Sequence, residues 1–125
     1  MSYRSPLGRA RGLGSAKSGS EHWMMQRLTA VALVPLILWM VWSLLCMAGA
    51  PHAEVVAWVG QPLVATTLIG LIAAMFYHAQ LGAQVVIEDY VHHEGRKVAA
   101  LVGIKLLAAA AALASIVSVL LIALR

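Results

Sequence analysis

Four residues near the end of the second long apolar stretch could carry chemistry together. His78, Gly82, Asp89 and Tyr90 stand in the segment read H-A-Q-L-G-A-Q-V-V-I-E-D-Y. At 100° per residue of a helix, Gly82 lies about 40° and Asp89 about 20° around the axis from His78, so these three share one face. Asp89 and Tyr90 lie about 16 to 18 Å along the axis from His78, or about half of a hydrocarbon core. If they mark a membrane surface, His78 lies near the midplane.

An ionisable side chain inside a membrane span is costly, and its default interpretation is functional. Imidazole is a common ligand for metals and for haem iron. Gly82, one turn from His78, would leave room where a larger side chain would strike a macrocycle. A histidine that only hydrogen-bonds a neighbouring helix, beside a packing glycine, would produce the same pattern. The spacing alone therefore leaves haem ligation and helix packing both open.

The composition indicates the kind of protein that positions these residues. The chain has 125 residues, 62% of them hydrophobic and 11% charged, with a mean hydropathy of +0.85, which is typical of an integral membrane protein. It is too short to add a soluble catalytic domain, so chemistry on a water-soluble substrate must belong to another polypeptide. Cys46 is the only cysteine, which excludes an intrachain disulfide and a Cys-based zinc or iron–sulfur site.

The hydropathy pattern predicts an all-α integral membrane fold with three transmembrane helices. We expect a basic, flexible cytoplasmic arm at residues 1–22 and a membrane anchor domain at 23–125. The spans are predicted at about 24–48, 62–87 and 98–124. Between the first two spans, Val55 to Gly60 is predicted as a short segment at the membrane surface.

The basic residues predict the orientation of the chain. The net charge is +4 and the pI is about 9.7. In a membrane protein this bias indicates topology and contact with lipid headgroups, and we expect no nucleic-acid partner. Seven of the nine Lys and Arg residues lie in the arm, at its junction with the first span or in the second connection: Arg4, Arg9, Arg11, Lys17, Arg27, Arg96 and Lys97. The N-terminus is therefore predicted to be cytoplasmic and the C-terminus periplasmic.

Two motifs resemble a known family. The residues His78, Gly82, Asp89 and Tyr90 match the pattern H-x-x-x-G-x-x-x-x-x-x-D-Y, and the segment Arg27-Leu28-Thr29-Ala30 matches R-x-T-A at the start of a first span. Both patterns, in this order, resemble the hydrophobic membrane anchor subunits of bacterial succinate dehydrogenase, respiratory complex II. The resemblance covers nearly the whole chain, because length and span count agree too.

The resemblance implies a role in electron transport in the bacterial inner membrane. The three helices would form half of a helical bundle with a second cytochrome b anchor subunit. A flavoprotein subunit with FAD and an iron–sulfur subunit would oxidise succinate, with no succinate-oxidising site on this chain. Haem b would lie between the anchors, with His78 as one axial ligand, Gly82 packed against the macrocycle and Arg27 near a propionate. Tyr90 and Asp89 would be this chain's share of the ubiquinone site.

Two other functions remain open at this stage. A haem-free or fumarate-reductase-type quinone anchor would share the topology and use His78 for packing. A non-redox membrane pore or assembly protein would use His78, Gln80 and Gln84 to line water. The adjacent pair His92 and His93 does not converge well on one metal ion, and we expect it in an exposed loop that contacts a partner.

Overall fold

The fold consists of α-helices joined by short connections. The structure is a computed structural model that describes residues 6–7 and 19–125. Within residues 19–125 it contains four helices and no strand: α1 (Gly19–Cys46), α2 (His52–Val59), α3 (Pro62–Tyr90) and α4 (Glu94–Ala123). The remainder of the predicted arm lies outside the described residues.

Three of these helices are long and apolar enough to cross a membrane. α1, α3 and α4 have 28, 29 and 30 residues. At 1.5 Å per residue, each is about 42 to 45 Å long, which exceeds the ~30 Å hydrocarbon core. The prediction of an all-α membrane fold with three spanning helices is confirmed, and the chain is a multi-pass membrane protein.

The helices extend beyond the predicted spans at several ends. α1 begins at Gly19, inside the segment 1–22 predicted as the arm. α3 continues to Tyr90, three residues past the predicted end, and α4 begins at Glu94 instead of near residue 98. Hydropathy marks only the part of a helix in hydrocarbon, whereas backbone hydrogen bonding continues into the headgroup region, where polar side chains remain solvated. The segment predicted at Val55 to Gly60 lies mostly within the helix α2, which begins three residues earlier, at His52.

Glycine and proline separate α1 from α2 and begin α3. Gly49 has φ +83°, a left-handed conformation that favours glycine. Pro51 is extended and precedes α2, and Pro62 lies in the first turn of α3, where its missing N–H costs no hydrogen bond. The helix α2 contacts α1 through the stacking of Trp58 on Trp39, with ring centroids 5.9 Å apart.

α3 is the central helix of the layer. It packs against α1 on one flank and α4 on the other, while no Cα atom of α1 lies within 8 Å of one of α4 among the described residues. The buried apolar side chains accordingly come from α1 and α3: Leu33, Val64, Ala65, Leu68, Leu71 and Leu81. Small residues on α4, including Ala108 and Ala112, line a cavity of about 250 Å³ against α3. The result is an open three-helix layer, with large apolar side chains exposed on its faces.

Candidate functional site

His78 faces α1 and contacts one residue there. Its Nδ1 atom is 2.9 Å from Oγ1 of Thr29, a side chain that is only 8% exposed. Thr29 lies one turn from buried Leu33, so both belong to the stripe of α1 that packs on α3. His78 itself is half-buried. The ring is thus held from one side by the neighbouring helix, while the rest of it is partly accessible.

The continuous helix preserves the axial spacing expected from the sequence. α3 runs without interruption from Pro62 to Tyr90. His78 is therefore about 18 Å from Tyr90 and about 24 Å from Pro62 along the axis. Its imidazole lies in the middle third of the spanning helix, far from either polar end.

Gly82 lies on the same side of α3 and faces Gln26 of α1. A Cβ atom built on Gly82 would be 3.7 Å from Gln26 Nε2, an ordinary van der Waals distance. Gln26 Oε1 and His22 Nε2 are buried and have no hydrogen-bond partner among the described residues. The α1 stripe that carries Thr29 thus has further polar groups, which the sequence analysis did not single out. In the sequence, the spacing of four and three residues between His22, Gln26 and Thr29 indicates that they share one face of a helix.

Arg27 points away from this contact. Two positions along a helix correspond to about 160° of separation, so Arg27 lies almost opposite Thr29 on α1. Its Cζ atom is 5.4 Å from the ring centroid of Trp23, one turn earlier, and the side chain is exposed. Within this chain, Arg27 and His78 therefore project from different sides of the α1–α3 pair, and the propionate role of Arg27 stays a prediction.

A polar groove lies over α3, between α1 and α4. It is a cavity of about 500 Å³ lined by Glu21, His22, Met25, Tyr77, Gln80, Leu81, Gln84 and Lys105. Gln80 is buried and donates to Gln84 Oε1 at 3.3 Å, and Gln84 donates to Glu88 Oε1 at 2.8 Å. These two hydrogen bonds link polar side chains of α3 from the middle of the helix to its last turn.

Tyr90 is the last residue of α3. It lies in a second cluster of side chains, separate from the contact of His78 with Thr29. The chain leaves the helix at Val91 and returns in α4 from Glu94, which folds this connection back on Tyr90. A cavity of about 380 Å³ there is lined by Tyr90, Val91, His92, His93, Arg96 and Ala100. Nδ1 of His92 is 3.1 Å from the backbone oxygen of Tyr90.

Tyr90 and Asp89, which the sequence paired, differ in their surroundings. The Tyr90 side chain is 78% exposed at the edge of the second cluster. Asp89 is also exposed but is about 100° around the helix from Tyr90 and does not line that cavity. The structure instead brings Arg96 and the two histidines to Tyr90. The three-residue connection from 91 to 93 was the signal for this, since so short a link leaves the helix ends adjacent.

No group of three or more His, Cys, Asp or Glu side chains in the described ranges could hold a metal ion by itself. Among these residues, His78 is therefore not part of a group of metal-ligating side chains.

The comparisons with known proteins agree with one another. Residues 1–122 match the family model of the succinate dehydrogenase/fumarate reductase transmembrane subunit. The succinate dehydrogenase hydrophobic membrane anchor subunit of Rickettsia bellii is 35% identical over 118 residues, 94% of each chain. The same subunit of Paracoccus denitrificans is 29% identical over 99 residues, 79% of this chain and 77% of the relative. No solved structure matches the chain. The chain therefore belongs to the succinate dehydrogenase/fumarate reductase transmembrane subunit family, as its two motifs predicted.

Proposed function

We propose that this chain is a membrane anchor subunit of a succinate:ubiquinone oxidoreductase in a bacterial inner membrane. It docks the flavoprotein and iron–sulfur subunits to the membrane and, with a second anchor subunit, helps to hold haem b and ubiquinone. The proposed binding of haem rests on one observation about His78. Its imidazole is half-buried in the middle of the central spanning helix, and its Nδ1 atom is hydrogen-bonded to Thr29.

The chemistry of this histidine suits haem ligation. Axial coordination uses one imidazole nitrogen, and on His78 the only hydrogen bond within the described residues engages the other nitrogen, Nδ1. The open layer offers large apolar surfaces that a second anchor would cover. When bound there, haem b would supply one-electron storage between the anchors. Gly82 would pack near the macrocycle. We propose that Arg27 would neutralise a propionate, which the haem would present on the other side of the α1–α3 pair, where Arg27 projects.

The cluster at the end of α3 suits a quinone headgroup. The phenol of Tyr90 can donate a hydrogen bond to a quinone carbonyl oxygen while its ring stays in apolar surroundings. Arg96 lines the same cavity and brings a fixed positive charge to the place where the oxygen gains negative charge. His92 and His93 can carry protons from the aqueous side. Asp89 would orient a cationic side chain or a proton-carrying water at the rim.

The curated relatives favour succinate oxidation over the other functions. The family model covers succinate dehydrogenases and fumarate reductases, but the curated relatives compared above are named as succinate dehydrogenase anchors. The family match also supports a role as a membrane anchor, and it gives no support to a pore or an assembly protein. A haem-free anchor remains the rival that experiment must separate.

Purification through a tag on this chain tests the proposal. We expect flavin and iron–sulfur subunits to copurify and the reduced-minus-oxidised spectrum to contain a b-type haem. His78→Ala should remove or strongly alter the low-spin haem signal, because one of two axial ligands is lost. His52→Ala is the matched control, since that exposed histidine lies on α2. An unchanged haem spectrum in His78→Ala would refute the ligand assignment, and a complex without haem would favour the haem-free anchor.

A further inference from the structure

We propose that Thr29 is a positioning residue for haem b, which fixes the ring orientation and the proton position of His78. The inference rests on the proposed function, because it takes His78 as an axial ligand. The hydroxyl of Thr29 accepts the hydrogen of His78 Nδ1, and this leaves the lone pair of Nε2 free for iron.

Counting hydrogens at the Thr29 hydroxyl supports this direction. Oγ1 lies 2.8 Å from the backbone oxygen of Met25, 3.1 Å from that of Gln26 and 2.9 Å from His78 Nδ1. The hydroxyl has one hydrogen, and the two carbonyl oxygens can only accept. The bond to Met25 is the shortest of the three, and we assign that hydrogen to it. With this assignment Nδ1 is the donor to Oγ1, so neutral His78 carries its proton on Nδ1 and none on Nε2.

Packing between α1 and α3 sets this geometry. Thr29 is 8% exposed between α1 and α3, and its branched Cβ restricts the side chain to few rotamers in a helix. Its bond to the carbonyl four residues earlier also occurs at Thr66 and Thr67, where no histidine is in contact. What distinguishes Thr29 is the burial of its oxygen against a ring on another helix. The contact joins residues 49 positions apart and depends on how α1 and α3 are rotated.

The bond has an electronic consequence for a bound metal. A hydrogen bond from the remote N–H of a ligating histidine raises the basicity of the coordinating nitrogen, and such partners typically contribute about ten- to one-hundred-fold in affinity. A more basic ligand stabilises the oxidised iron more than the reduced iron. Thr29 therefore tightens haem retention and lowers the haem midpoint potential.

The test compares Thr29→Val, Thr29→Ser and the control Thr66→Val in the purified complex. Valine keeps the shape of threonine and removes the oxygen, whereas serine keeps the oxygen. We expect Thr29→Val to raise the haem midpoint potential and to speed haem transfer to an apo-haemoprotein scavenger about ten-fold or more. Thr29→Ser and Thr66→Val should match the wild type in both measurements. If Thr29→Val does not assemble, Thr29→Ala takes its place and should change both measurements in the same direction.

The outcomes separate this inference from the proposed function. If His78→Ala loses the haem signal while Thr29→Val keeps the wild-type potential and transfer rate, the inference is overturned and the ligand assignment stands. An equal change in Thr29→Ser and Thr29→Val would also overturn it, since packing and not the hydroxyl would be responsible. If the wild-type complex contains no haem, or His78→Ala keeps its spectrum, the proposed function itself fails.

Discussion

In the proposed function, Tyr90 at the end of α3 donates a hydrogen bond to the quinone. It is largely exposed and lines the same cavity as Arg96. We predict that Tyr90→Phe lowers succinate-to-quinone activity about ten-fold or more, because a hydrogen bond to a charged acceptor is lost. Succinate oxidation with a soluble dye acceptor should be unchanged, since the flavin and iron–sulfur path is untouched.

Tyr77→Phe is the matched control for this measurement. Tyr77 is on the same helix but lines the groove with Lys105, about three and a half turns from Tyr90. Its loss should leave quinone reduction near the wild-type rate. An equal fall of both activities in Tyr90→Phe would indicate failed assembly, and full quinone activity would remove Tyr90 from the site.

At the scale of elements, the turn between α1 and α2 requires glycine for a backbone reason. Gly49 has φ +83°, and a Cβ built on it meets no atom within 4 Å. The cost of Gly49→Ala is therefore conformational and should be about 1 kcal/mol. We predict a lower temperature of thermal inactivation of the detergent-solubilised complex.

Gly103→Ala provides the comparison, because Gly103 lies within α4 and a Cβ built on it also meets no atom within 4 Å. Alanine favours a helix over glycine there by about 1 kcal/mol, so this variant should be neutral or more stable. Equal losses in the two variants would show that the backbone conformation of Gly49 is not the cause.

At the scale of the whole molecule, the distribution of basic residues predicts the topology. Arg96 and Lys97 follow α3, while Pro51, His52 and Glu54 surround the start of α2 without a basic neighbour. We expect alkaline phosphatase to be active when fused after Arg125 or after Ala50 and inactive when fused after His93. Activity of the fusion after His93, together with inactivity of the fusion after Ala50, would show that the orientation is the reverse of the predicted one.

The open layer leaves polar side chains of this chain uncovered. α4 has no buried residue among those described, and polar groups such as Gln84 and Lys105 border a groove between α1 and α4. Polar groups inside a membrane are normally covered by protein or water. The second anchor subunit that we propose would cover them on packing against this layer.

The sequence by itself determined the class of the protein, its three spanning helices and its family. These follow from local properties: apolar composition, hydrophobic length and residue spacing along one helix. The shared face of His78, Gly82 and Asp89 was predictable for the same reason, since a continuous helix has a known angle and rise per residue.

Only the tertiary structure decided which side chains meet across helices. The contact of Thr29 with His78, the projection of Arg27 towards Trp23 and the gathering of Arg96 near Tyr90 depend on the rotation of each helix and on the bend after α3. Rotation results from side-chain packing between helices, because hydrophobicity does not distinguish the faces of a span that is apolar on every side. Spacing along one helix could therefore indicate His78, but only the packing of α1 on α3 supplies the hydroxyl beside it.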